Sequence, residues 1–196
     1  MRVIAGSAGG IRLAVPKSGV RPTMDRVKAA IFSSLGDTII GARVLDLFAG
    51  SGALGIEALS RGASSVLFVE QDRQSIDVIE RNLAKTKFQT RVRRQEVFEF
   101  LRRSSGTETF QIIFADPPYE KTESGERFTE KLLTNEALAQ LLAPLGVFIL
   151  EKRPAERFPA TKLWNIVRAR SYGATEVLFL QGVASPSRPR AAAGTI

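Results

Sequence analysis

Two stretches of this chain combine residue types and spacing that can do chemistry. The first is Asp46-Leu47-Phe48-Ala49-Gly50-Ser51-Gly52-Ala53-Leu54-Gly55, in which Gly50, Gly52 and Gly55 fall in the pattern G-x-G-x-x-G. Glycines at the first two positions let a backbone turn tightly and approach a ligand closely, and the third lets a helix pack on a strand. Glu70 follows Gly50 by 20 residues, the spacing at which an acid ending the next strand reaches a ribose hydroxyl. The second stretch is Asp116-Pro117-Pro118-Tyr119. Two successive prolines remove two N–H donors and fix φ at both positions, and they hold Asp116 extended. The product is a stiff corner offering a carboxylate, bare carbonyls and an aromatic ring, which suits a flat molecule carrying an amino group.

Asp46 separates two readings of the glycine turn. A dinucleotide pyrophosphate at this helix start would meet an unfavourable carboxylate. A cofactor bearing an amino group and a sulfonium cation would be welcomed, and S-adenosylmethionine is such a molecule. The Asp-x-x-x-Gly-x-Gly turn with its downstream acid resembles the class I methyltransferase signature. The candidate cofactor contacts are Asp46, Phe48, Gly50, Gly52, Glu70 and Gln71, with Glu96 on the adenine side and the Val97 N–H within reach of a ring nitrogen. The candidate catalytic set is Asp116, Pro117, Pro118 and Tyr119. A nucleobase –NH2 is a poor nucleophile, because its lone pair is delocalised into the ring. Asp116 and a carbonyl at Asp116 or Pro117 can accept both of its hydrogens and favour charge developing on nitrogen, while Tyr119 stacks on the base.

Composition removes most competitors. The 196 residues contain no cysteine and no histidine. That excludes disulfides, zinc ribbons, cysteine-held clusters, thiolate nucleophiles and Ser-His-Asp triads, and no metal is expected. A sulfonium activates its own methyl group, so the remaining residue types suffice. No apolar run exceeds four residues, against roughly 20 for a membrane span. No membrane association is expected, and a cytoplasmic protein fits. The net charge is +8, with +5 in residues 1–43 and +3 in residues 91–103. A polyanionic partner is the natural reading. Arg2, Arg12, Arg21, Arg26 and Lys28 are the candidate phosphate contacts.

These side chains need a scaffold that gathers them. Val44–Phe48, Val66–Glu70, Ile112–Asp116 and Val147–Glu151 are continuous apolar runs ending at or near an acid, and read as parallel strands buried on both faces. Thr90–Arg94 reads as a weaker strand nearer an edge. Helices are expected over residues 53–61 (stopped by Gly62), after an Asp72 N-cap, over Val97–Arg103 and over Phe128–Leu142. Residues 163–170 and 175–181 read as an antiparallel hairpin, and so do Arg2–Ala5 with Ile11–Ala14. A helix is expected over about 24–35, capped by Thr23 and stopped by Gly36. Asp46, Glu70, Asp116 and Glu151 would then line one sheet edge, where open α/β sheets bind ligands.

The opening residues narrow the class. Arg2-Val3-Ile4-Ala5-Gly6-Ser7-Ala8-Gly9-Gly10, Leu13, Pro16 and Arg21-Pro22-Thr23-Met24-Asp25-Arg26-Val27-Lys28 resemble the start of the RsmD family. The glycine turn, Glu57-Ala58-Leu59-Ser60-Arg61-Gly62-Ala63, Asp116–Tyr119 and Tyr172-Gly173 continue the likeness over about residues 2–181. Glu96 stands where the family more often has Asp or Asn, and Met24 where Thr is commoner. The resemblance implies a bacterial 16S rRNA guanine-N2 methyltransferase using S-adenosylmethionine and acting on 16S rRNA or a 30S assembly intermediate. It implies a Rossmann-like class I methyltransferase fold, an α/β architecture. This has a seven-stranded mostly parallel sheet with a C-terminal antiparallel hairpin, plus an N-terminal β-hairpin and helix. The expected organisation is an RNA-binding extension over 1–36, the transferase domain over 37–182 and a disordered tail over 183–196, in a monomer. An adenine-N6 or cytosine-N4 methyltransferase, an NAD(P)-dependent reductase and a non-enzymatic assembly factor are the competing readings.

Overall fold

The computed structural model describes residues 1–16, 25–104, 108–118, 127–154, 156 and 158–183. Seven strands form one sheet: β1 (Arg43–Leu47), β2 (Ser65–Glu70), β3 (Arg91–Arg94), β4 (Phe110–Ala115), β5 (Leu142–Lys152), β6 (Trp164–Tyr172) and β7 (Thr175–Gly182). Their order is β3-β2-β1-β4-β5-β7-β6. The first five run parallel, and β7 pairs antiparallel with both β5 and β6. The continuous apolar runs thus occupy the sheet centre, and Arg-rich β3 occupies an edge. The C-terminal hairpin turns at Gly173, whose φ is +62°.

Alternation along each strand feeds two cores. Val44, Val66, Phe68, Ile112, Phe114 and Ile149 face helices α1 (Asp25–Leu35), α2 (Ala53–Ser60) and α3 (Arg73–Thr86). Leu45, Leu67, Val69, Ile113, Phe148 and Leu150 face α4 (Val97–Ser104), α5 (Phe128–Leu133), α6 (Glu136–Leu141) and Trp164. The expected Asp72 cap is present: its carboxylate accepts the Ser75 N–H at 2.8 Å. Gly62 follows α2 with φ +99°. Gly36 ends α1 and begins a 3-10 turn, Gly36–Ile39. Thr23 lies outside the described residues.

Three expectations are corrected. The N-terminal hairpin is not formed; Arg2 and Arg12 make a single isolated antiparallel bridge. The Val3 N–H still donates to the Ile11 carbonyl at 2.9 Å and the Leu13 N–H to the Met1 carbonyl at 3.1 Å, but beyond Val3 the backbone turns to Glu57, whose carboxylate accepts the Ile4 and Ala5 N–H groups at 2.7 and 3.1 Å. The helix expected over 128–142 is two helices, because the Asn135 side chain accepts the Leu138 N–H at 2.9 Å and starts α6 afresh. β5 begins at Leu142, five residues before the apolar run, through an irregular stretch where Leu145 has φ +62°.

Candidate active site

The turn after β1 is built from left-handed backbone. Phe48, Gly50 and Gly52 have φ of +55°, +55° and +74°. Phe48 is the unusual member, since a side chain seldom adopts this region. A Cβ on Gly55 would lie 2.3 Å from Phe68 Cε1, so only glycine lets α2 close on β2. The Gly55 N–H is donated to Asp46 Oδ2 at 2.9 Å, which ties the start of α2 to β1. Glu70 closes the other side of the turn: Oε2 accepts the Gly50 N–H at 2.8 Å, and Oε1 accepts those of Gln71 and Asp72 at 2.8 and 2.9 Å. Of the roughly four lone-pair sites on a carboxylate, three are engaged, and the fourth is what a ribose hydroxyl would take.

Strand register brings the acids together. Asp46, Glu70, Asp116 and Glu151 each stand two residues beyond a side chain of the α1–α3 core, so alternation turns all four to the same face. Asp46 is 2% exposed, and its pKa is raised from 3.8 to about 8. Burial is the main cause, the Gly55 hydrogen bond opposes it, and repulsion from Asp116 and Glu70 adds to it. Glu151, also buried, is pushed well above the usual carboxylate range by burial and then by Asp116 and Asp46. Acids that repel one another in this way favour a cationic ligand, and a cofactor with an ammonium and a sulfonium fits the donor set.

The proline corner follows β4. Pro117 is buried, Pro118 is exposed and Asp116 is half-buried; Tyr119 lies outside the described residues. A shallow, open cleft beside the corner is lined by Pro117, Pro118, Phe128, Thr129, Glu151, Lys152 and Glu156. Several of these were not anticipated from sequence. Lys152 Nζ binds Glu176 Oε2 at 2.7 Å and the carbonyls of Arg153 and Glu156 at 2.8 and 2.7 Å, and Thr129 donates its hydroxyl to Glu156. Phe48, Phe98 and Phe128 form an aromatic cluster with centroids 5.6 to 6.3 Å apart. Their spacing in sequence gives no sign of it, because the turn after β1, the first turn of α4 and the start of α5 supply one each.

Glu96 turns back on its own helix. Its two oxygens accept the N–H groups of Phe98 and Glu99 at 3.0 and 2.7 Å, so it caps α4, and Val97 beside it is buried. Among the candidate phosphate contacts, Arg2, Arg12 and Arg26 are exposed, and Arg2 lies 3.9 Å from Asp25. Arg21 lies outside the described residues. Lys28 is fully buried: Nζ binds Glu57 Oε2 at 3.1 Å and the Arg2 carbonyl at 2.5 Å. Burial lowers its pKa, and Glu57 opposes the shift. Its charge is spent inside the fold and is not offered to a phosphate.

The family model described as Conserved hypothetical protein 95 matches residues 1–181. The chain is 39% identical over 183 residues to "Putative rRNA methyltransferase YlbH" of Bacillus subtilis, covering 90% of this chain and 96% of that protein. It is 42% identical over 177 residues to the Ribosomal RNA small subunit methyltransferase D of Haemophilus influenzae, covering 88% and 89%. Among solved structures, "Putative methyltransferase yhhF from Escherichia coli" superposes with a TM-score of 0.77 at 34% identity, over 94% of this chain and 99% of that one.

Proposed function

We infer the reaction from the premise that this chain belongs to the Conserved hypothetical protein 95 family, the RsmD family. It is an S-adenosylmethionine-dependent rRNA methyltransferase, and its target is the exocyclic N2 amine of a guanine in small-subunit rRNA. The observation that carries this is the shared edge: the Gly50–Gly52 turn, Glu70 and Asp116 lie at the carboxyl ends of adjacent parallel strands, on one face. The turn suits the donor and the proline corner suits the amine, so the two reactants meet between β1 and β4.

Glu70 orients the donor through its ribose, and the acids behind it offset its positive charge. Bound S-adenosylmethionine supplies a methyl group made electrophilic by its sulfonium. Asp116 accepts one N–H of the guanine amine, and a carbonyl at Asp116 or Pro117 accepts the other, which turns the nitrogen lone pair out of conjugation. The new N–C bond forms as the C–S bond breaks, with its electron pair left on sulfur. Asp116 then holds the proton that the amine loses. The Pro117 ring keeps an N–H donor away from that carboxylate. Tyr119 stacks on the base.

Residues 37–182 are the transferase unit. Arg2, Arg12, Arg21 and Arg26 of residues 1–36 contact rRNA phosphates; of the expected tail over 183–196, only Val183 lies among the described residues. The enzyme works as a cytoplasmic monomer on 16S rRNA or a 30S assembly intermediate. Asp116→Ala is expected to abolish tritiated methyl transfer to unmethylated 30S particles, by at least about a hundredfold, while calorimetry shows S-adenosylmethionine still bound. Unchanged turnover would remove Asp116 from the reaction. Binding of NADH in place of S-adenosylmethionine would return the glycine turn to a reductase.

A further inference from the structure

Glu151 is the least explained acid of the fold. It lies next to the last residue of β5, is 3% exposed, and its Oε1 has no hydrogen-bond partner among the described residues. Leaving a carboxyl oxygen buried and unsatisfied is costly, and Asp116 and Asp46 both oppose its charge. Its partner on β7, Val177, and the residue before it on the same face, Ile149, are apolar and buried, so the fold itself gives no reason for an acid at this position. The cost is understandable if the oxygen meets a donor that arrives with a ligand. The carboxyl lines the open cleft together with Pro117, Pro118 and Phe128.

The register says where that donor must be. Ala115 pairs with Leu150, so Asp116 and Glu151 come next on adjacent parallel strands, one strand spacing of about 4.8 Å apart. Neighbouring acceptors on neighbouring strands match neighbouring donors on one edge of a base. The three common bases with an exocyclic amine differ at the ring nitrogen beside it. Guanine N1 carries a hydrogen, whereas adenine N1 and cytosine N3 carry a lone pair that an acceptor repels. We propose that Glu151 Oε1 accepts the N1–H of the target guanine while Asp116 holds its N2 amine, which makes Glu151 the residue that selects guanine over adenine and cytosine. Only the ionised carboxylate is purely an acceptor, so the selection belongs to that form, which the arriving N1–H donor favours. This inference rests on the guanine-N2 reading above and assigns that reading a residue for base choice.

The test uses the full chain and small-subunit particles reconstituted with rRNA carrying either guanine or 2-aminopurine at the methylated position. 2-Aminopurine keeps the N2 amine but has a bare lone pair at N1. The unaltered enzyme is expected to favour guanine by roughly tenfold to a hundredfold in kcat/KM. In Glu151→Gln the carboxamide can donate as well as accept, so that preference is expected to shrink to within about threefold, with S-adenosylmethionine binding retained by calorimetry. The ratio of two substrates on one variant cancels any loss of folded protein. An equal fall on both substrates, with the preference intact, would overturn the proposal while leaving the guanine-N2 reading in place. Formation of N6-methyladenosine or N4-methylcytidine by the unaltered enzyme would overturn both.

Discussion

Burial is the main reason that the Asp46 pKa, about 8, stands above the ordinary 3.8; the Gly55 amide opposes the shift, and Asp116 and Glu70 add to it. The folded protein therefore binds that proton more tightly than the unfolded chain does. The ionised side chain opposes folding: the cost is absent below about pH 4, grows up to about pH 8 and is constant above it. In Asp46→Asn the amide oxygen can still accept the Gly55 N–H, while the charge is gone. The ligand-free variant is expected to match the parent's unfolding free energy in urea denaturation at pH 4 and to exceed it at pH 8 by on the order of 1–3 kcal/mol. Affinity for S-adenosylmethionine should fall roughly tenfold in calorimetry, the loss of one charge-assisted hydrogen bond. A variant no more stable at pH 8 would show that the buried charge of Asp46 does not oppose folding. Asp46, Glu70 and the glycines were legible because spacing along one chain fixes them. The left-handed Phe48 and the capping use of Glu96 were not, since both depend on where the following helix lies.

At the scale of elements, buried Glu57 organises the N-terminal arm. It accepts the N–H groups of Ile4 and Ala5 at 2.7 and 3.1 Å, Arg61 Nε at 2.7 Å and Lys28 Nζ at 3.1 Å. Glu57→Ala leaves a buried ammonium and two amides without their acceptor. It is expected to cost about 3–5 kcal/mol in urea denaturation and to open residues 1–16 to limited proteolysis. Lys28→Met should cost less, because Arg61 and the two amides still satisfy the carboxylate. A Glu57→Ala chain as stable as the parent would refute this account. The four parallel strands were readable from their unbroken apolar runs. The failed hairpin was not, because Arg2–Ala5 and Ile11–Ala14 have the alternation of paired strands. The carboxylate that holds the arm beyond Val3 lies 53 residues away from Ile4 and arrives only with α2. The break at Asn135 was not readable either, since apolar periodicity runs across it and its cap is defined only by where the Leu138 N–H lies.

For the whole molecule, the excess of eight positive charges sets how the chain meets a polyanion. Sequence alone makes every basic residue of the first 43 equivalent; folding separates Arg26, which is exposed, from Lys28, which is sealed against Glu57. Arg26→Ala is expected to reduce the slope of log affinity against log salt, measured by filter binding to 16S rRNA, by about one. Lys28→Met should leave that slope where it is. Equal slopes for Arg26→Ala and the parent would place the RNA on another surface. The buried parallel strands followed from their unbroken apolar runs, whereas the strand order and the sorting of charges into outward and inward needed the tertiary fold.

Asn82 gives the assembly a mechanical consequence. Its carboxamide donates to the carbonyls of Ser51 and Ala14 at 2.9 and 3.0 Å and accepts the Ala14 N–H at 2.8 Å. A single side chain of α3 is thus a rivet through both the glycine turn and the leading arm. Prying the arm from the body would slacken the bend that cradles the donor, so grip on the donor and grip on the polynucleotide are two readings of one fastening.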